Sequence, residues 1–402
     1  MIDITAYDNI IDSFSNTNNV ENKEYSQQDI LSLKNFEKAK KEIHTWAGYK
    51  PTPLHELKEL AKTSKVAKIF YKDESHRFTL KSFKALGGAY AVANLLIDEL
   101  SKKDITATSQ DLFNKTYESI TKDITVSCAT DGNHGKSVAW ATQMFGCKCE
   151  IFIHSHVSSA REREIQKYGA KVNRIEGNYD DSVNIAAKVA KEKAYFTVSD
   201  TSYEGYLSVP KDVMQGYTIM VDETINQMQE KPTHVFLQGG VGGMAAAVIS
   251  FFHETYGKDA PIFVIVEPQN AACLLESARN NTPTIVHGDL DTVMAGLSCG
   301  EISLLAWDII KNTVQNFLSI SDKDVGNCMQ YLSKQNSPIV AGESAVGGLV
   351  GFISAQKDEK LRTGLALDED SKILFYGTEG DTDEDAYKRL VGKSAQDVLL
   401  KK

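Results

Sequence analysis

The chain has 402 residues, with 44 Lys and Arg against 54 Asp and Glu, so its formal net charge is −10. Hydrophobic residues at 42% and charged residues at 24% describe an ordinary globular protein of two domains or one large α/β unit, and the acidic balance argues against a nucleic-acid partner. The longest apolar run, 244–252, is far short of the roughly 20 residues of a membrane-spanning helix, and the acidic, polar start resembles no secretory leader, so a small-molecule partner and a cytoplasmic location are expected.

Taken in chain order, residues 1–40 read as poorly ordered at first, with a polar stretch at 15–19, then helical over 27–47. From Val66 onward, β-branched apolar runs alternate with longer amphipathic stretches. Strands are expected at 67–71, 124–128, 150–153, 171–175, 195–198, 234–237, 262–266 and 372–376. Helices are expected at 82–100, 134–145, 160–168, 182–193, 213–228, 243–256 and 345–355. The polar segment 101–123 reads as a solvated excursion. Such alternation predicts parallel sheets with helices on both faces, and ligand sites then lie where carboxyl ends of strands meet helix N-termini.

Four strand–helix junctions carry residues that packing alone does not require. Segment 73–84, DESHRFTLKSFK, places Lys84 at a sheet edge. A desolvated lysine there can form an imine with a carbonyl, although a solvated lysine would look the same in isolation. Segment 128–135, CATDGNHG, offers Asp131 and Asn133 in a turn that Gly132 and Gly135 keep tight; an Asx-turn with helix capping is the plainer reading. Segment 238–244, QGGVGGM, is a glycine-rich loop of the kind that cradles phosphate, yet it is neither a Walker loop nor a dinucleotide fingerprint. Segment 376–383, YGTEGDTD, ends the last strand with Thr378, a neutral hydrogen-bonding hydroxyl.

Together these are parts for holding pyridoxal phosphate: an imine-forming lysine, a polar asparagine turn, a phosphate cradle and a hydroxyl at the final strand end. With AGYKPTPL, FKALGGAYA, SDTSYEGY, MQGY, VEP, MAGLSCGE and AGESA, the chain from about Ala47 to Asp383 resembles the fold-type-II pyridoxal-phosphate enzymes, and among them the diaminopropionate ammonia-lyases. The resemblance implies two open parallel-sheet domains with the cofactor cleft between them. The larger, discontinuous domain would be 1–87 with 204–402, and the smaller 88–203. It implies that Lys84 bonds the cofactor, that Asn133 meets its ring hydroxyl, and that Thr378 faces its pyridine nitrogen. The backbone of Gly239, Gly240, Val241, Gly242 and Gly243 would hold the phosphate.

Asp131 stands where dehydratases of this fold usually carry serine. By the resemblance it would be a second base opposite Lys84, so that Lys84 serves the L and Asp131 the D enantiomer of 2,3-diaminopropionate. Asp200, in SDTSYEGY, would lie near the substrate's distal amine, or else simply shape a turn. The implied reaction is α,β-elimination to pyruvate and two ammonia; the enzymatic alternative is elimination from threonine, serine or 3-hydroxyaspartate. A pyridoxal-phosphate store without catalysis, or a phosphate-binding scaffold, remains open. Enzymes of this fold are commonly homodimers.

Some residues depart from the pattern. Thr79 replaces the usual Gly and Lys81 the usual Asn. If the helix has begun by then, Lys81 shares a face with Lys84 and could depress its pKa or bind the substrate's carboxylate. His154 and His156 alternate like metal ligands but lack a third, so no metal is assigned. Cysteine is sparse, without C-x-x-C, and a reducing compartment fits; Cys273 and Cys299 fall near the active-site loops, and a bridge between them is left open.

Overall fold

The computed structural model describes residues 7–16, 25–130, 132–155, 157–177 and 179–400. Asp131, His156 and part of the polar stretch 15–19 lie outside the described residues.

Eleven strands occur among the described residues: β1 (Ile10–Ser15), β2 (Leu54–Glu56), β3 (Lys68–Asp73), β4 (Thr125–Ala129), β5 (Lys148–His154), β6 (Lys171–Ile175), β7 (Phe196–Thr197), β8 (His234–Gln238), β9 (Ile262–Pro268), β10 (Asn316–Ile320) and β11 (Lys372–Gly377). They form a seven-stranded sheet, β1-β10-β9-β8-β11-β3-β2, and a four-stranded sheet, β6-β5-β4-β7. The smaller sheet is parallel throughout. The larger is parallel except at its edges, where β1 and β2 run antiparallel to β10 and β3. Strands β8 and β10 are buried along their whole length and β9 nearly so, which is why HVFLQ, NFLSI and IFVIVEP lack polar alternation.

Both sheets reverse direction at a defined place. In the larger, the chain proceeds outward from β8 through β9 to β10, while β11 lies on the other side of β8. In the smaller, β5 and β6 lie on one side of β4 and β7 on the other. Such switch points leave a crevice beyond the strand ends.

Three sequence expectations change. Residues 10–15 form an edge strand; its half-exposed alternation is too weak to read without the partner β10, more than 300 positions away. The first helix is Leu33–Ile43, shorter than 27–47, because the Ser32 hydroxyl accepts from the Asn35 N–H and starts it there. The excursion 101–123 contains helices Ser109–Phe113 and Glu118–Thr121 and is anchored by buried Leu112 and by Trp46, whose indole donates to Ser109 Oγ at 3.0 Å.

Candidate active site

Lys84 is the first residue of helix Lys84–Ser101, and Asn133 is the first residue of helix Asn133–Phe145. The two helices meet where Gly88 faces Ser137, an approach that a Cβ at residue 88 would block. There the Ser137 hydroxyl donates to the Lys84 carbonyl at 2.7 Å. Two helix N-termini therefore open side by side, each offering N–H groups without intrahelical acceptors.

They face a partly enclosed cleft of the concave kind in which small molecules bind. Its walls bring together Lys84, Asn133, Asp200, residues 239–243 and Thr378. The glycine loop follows β8 and leads into helix Gly243–Tyr256. Gly240 and Gly242 adopt φ of +61° and +93°, left-handed backbone that side chains disfavour. Across the cleft Thr378 follows β11, and its carbonyl accepts from the Phe83 N–H at 3.1 Å, fixing the residue before Lys84.

The Lys84 amine is hydrogen-bonded to the Asp200 carboxylate. Burial pulls the lysine pKa down, but Asp200 outweighs it and the net shift is upward. For Asp200, burial alone would raise the pKa; Lys84 and His134 reverse this and hold it below the usual carboxylate range. Asn133 donates to Glu379, whose other oxygen accepts from the Ser344 N–H at 3.1 Å.

Lys81 is not part of this arrangement. The helix begins only at Lys84, and Lys81 has a left-handed backbone that turns its amine toward Asp381 (2.9 Å) and Glu384 (3.6 Å). It neither lines the cleft nor shares a helical face with Lys84. We expect Lys81→Ala to change kcat/KM less than threefold and to cost about 1–3 kcal/mol, because it leaves the buried Asp381 carboxylate without this partner. Steady-state kinetics and thermal denaturation check this.

Other cleft residues carry no sequence signal of their own. Arg161 lines the wall from helix Ser159–Gln166, in a stretch so charged that it reads as a solvated face. Its guanidinium instead donates to buried Glu343 at 2.7 Å. Burial first, then the neighbouring Glu379, pushes the Glu343 carboxyl up to about 7. Glu379 itself could have been suspected, since it adjoins Thr378 in the last junction. Tyr217 and Gln238 also line the cleft.

A family model described as pyridoxal-phosphate dependent enzyme matches residues 45–375. The chain belongs to the pyridoxal-phosphate dependent enzymes. It is 39% identical over 361 residues to a diaminopropionate ammonia-lyase of Escherichia coli, an alignment that takes in 87% of this chain and 89% of the relative. Two solved structures of an Escherichia coli diaminopropionate ammonia lyase superpose closely. One, in complex with an aminoacrylate-PLP azomethine reaction intermediate, has a TM-score of 0.85 and 35% identity, with 96% and 97% of the two chains covered. The other, in complex with D-serine, has a TM-score of 0.86 and 34% identity, with 97% and 99% covered.

The residues of this pyridoxal-phosphate enzyme's cleft fit the cofactor. A Cβ at Gly239 would overlap the Glu267 side chain, lying 3.0 Å from its carboxyl carbon, so the loop can pass this close to Glu267 only with glycine there. Glu267 cannot yield, because its carboxylate accepts from the Leu274 and Leu275 N–H groups at 2.9 and 2.8 Å. We therefore expect Gly239→Ala to displace the loop and weaken cofactor binding at least tenfold, within the roughly 1–3 kcal/mol typical of overpacking. Titrating the cofactor-free protein with pyridoxal phosphate, followed by absorbance, measures it.

Proposed function

We propose that the chain catalyses pyridoxal-phosphate-dependent α,β-elimination of 2,3-diaminopropionate, yielding pyruvate and two ammonia. When bound, the cofactor supplies an electron sink for the charge left at the substrate's α-carbon. Lys84 holds it and takes the α-proton from the L enantiomer, while Asp131 takes it from the D enantiomer. Asn133 and Thr378 orient the ring through its hydroxyl and nitrogen. The N–H groups of residues 239–243 and the following helix N-terminus meet the phosphate. Asp200 pairs with the distal ammonium and keeps that nitrogen protonated, as a leaving amine requires. Each positioned proton transfer contributes roughly 10²–10⁴-fold.

One observation carries this reading above the others: the Asp200 carboxylate beside Lys84 inside the cleft. An anionic wall attracts a β-ammonium and repels a β-carboxylate such as that of 3-hydroxyaspartate. The likeness to named diaminopropionate ammonia-lyases supports the same choice. Serine is the second reading, favoured by the D-serine complex of the similar Escherichia coli protein.

The test is the visible spectrum of the purified protein during titration with D- and L-2,3-diaminopropionate, with pyruvate assayed alongside and D- and L-serine as comparators. Diaminopropionate should shift the cofactor band and release pyruvate from both enantiomers. Equal ammonia release from serine would overturn the substrate choice. Asp131→Asn should lose turnover of the D enantiomer at least tenfold more than of the L; equal losses would end the division between two bases.

The wider organisation belongs to this proposal. A larger domain of 1–87 with 204–402 and a smaller one of 88–203 would close over the cofactor, in a cytoplasmic homodimer. Among the described residues no helix is long and apolar enough to cross a membrane.

A further inference from the structure

Asn133 and Glu379 both line the cleft, yet they arrive from different sheets: Asn133 opens the helix that follows β4, and Glu379 stands two residues beyond β11. Glu379 is buried, 2% exposed, and three donors converge on its carboxylate. The Ser344 N–H donates to Oε1 at 3.1 Å, while the Asn133 amide nitrogen and the Thr382 hydroxyl, the latter at 3.2 Å, donate to Oε2. The backbone is held as well, for the Glu379 carbonyl accepts from the Gly342 N–H at 2.9 Å. A Cβ at Gly342 would lie only 2.8 Å from the Glu379 Cγ, so the side chain is walled in on that side too.

This fixed carboxylate decides something that Asn133 does not decide alone. A primary amide has two ends of nearly the same shape, and half a turn exchanges its oxygen for its nitrogen. An ionised carboxylate only accepts, so it takes the nitrogen and turns the oxygen away. Among the described residues this is the one hydrogen bond of the Asn133 side chain, and the second hydrogen on the same nitrogen is left for the cleft. The opposite orientation would put a carbonyl oxygen in its place.

The ring oxygen of pyridoxal phosphate is ionised near neutral pH and needs a donor opposite it. We propose that Glu379 is a positioning residue that acts through Asn133: by holding the amide one way round, it ensures that the ring oxygen meets an N–H. The neighbouring carboxylates are engaged elsewhere, Asp200 with Lys84 and Glu343 with Arg161. Glu379→Gln keeps the size of the side chain and reverses its effect. The Ser344 N–H claims the remaining oxygen, so an NH₂ group is set against Asn133 and selects the amide oxygen instead.

The inference rests on Asn133 meeting the ring hydroxyl, and its test separates the two. Cofactor is removed from wild-type, Asn133→Ala and Glu379→Gln proteins, and each is titrated with pyridoxal phosphate and with 3-deoxypyridoxal phosphate, which lacks the ring hydroxyl. Glu379→Gln should weaken binding of pyridoxal phosphate at least about tenfold and of the deoxy analogue less than about threefold. Asn133→Ala should show the same selectivity, and the double variant should bind no more weakly than the weaker single one. If Glu379→Gln weakens both ligands alike, as a merely structural role would, or weakens neither, the inference is overturned. If Asn133→Ala does not distinguish the two ligands, the underlying reading fails instead. Should Glu379→Gln fail to fold, NMR of the cofactor-free wild-type protein labelled with ¹⁵N-asparagine decides, Asn133→Ala assigning the resonance. One Asn133 amide proton should lie downfield of the other and exchange slowly with water; two ordinary amide protons overturn the inference.

Discussion

Lys84→Ala should reduce pyruvate formation from L-2,3-diaminopropionate by at least about 10⁴-fold, and the protein should no longer hold its cofactor covalently. The size follows from losing two contributions at once, the nucleophile that bonds the cofactor and the base at the α-carbon. Helix content should stay the same, because what holds Lys84 in place is its backbone: the carbonyl accepts from Ser137 and Phe83 is tied to Thr378. Lys84→Arg should be equally inactive, since a guanidinium remains charged at any working pH. Added methylamine should restore part of the activity by supplying the missing amine. Turnover retained in Lys84→Ala, measured with the cofactor spectrum, would end the assignment.

Glu223→Gln should destabilise the fold by about 3–5 kcal/mol, the usual cost of removing one partner from a buried ion pair. Lys72, Glu74, Arg77 and Glu223 are all buried beneath the segment that leads to Lys84. Arg77 donates to both oxygens of Glu223 at 2.8 Å and to Glu74 at 2.8 and 2.9 Å, and Lys72 donates to Glu223 at 2.8 Å. Two cations and two anions balance; removing one anion leaves an uncompensated positive charge away from water. A lower urea midpoint at unchanged slope is the expected signature. The same network predicts acid lability. Burial alone would raise the Glu223 pKa, but Arg77 and Lys72 bring it below its ordinary value of 4.5. A depressed carboxylate contributes stability that is present above the unfolded pKa and is lost as pH falls toward the folded one. Wild-type stability should therefore decline below about pH 4.5, and Glu223→Gln should flatten that decline.

Which parts of this molecule can be read from its sequence follows from the distance over which the information is written. Lys84, Asn133, the 239–243 loop and Thr378 each sit in a short junction whose glycines and polar residues are informative by themselves, and the structure gathers them in one cleft. What cannot be read is pairing at long range. Asn133 meets Glu379, 246 positions later, and Arg161 meets Glu343, 182 positions later. Arg161 looks no different from a surface charge until the chain has folded, and Glu379, although it stands beside Thr378, gives no sign of its partner Asn133. Strand β1 is hidden for the same reason, since half of its pattern belongs to β10. Lys81 shows the opposite failure: a helical spacing applied three residues before the helix begins.

The two bonds that bracket Lys84 reach in opposite directions. Ser137 ties its carbonyl to the helix leaving β4, in the four-stranded sheet, and Phe83 ties the preceding residue to the end of β11, in the seven-stranded one. A point gripped from both sides is where a relative rotation displaces atoms least. Were the two sheets to shift against each other, Lys84 would therefore move less than the walls around it.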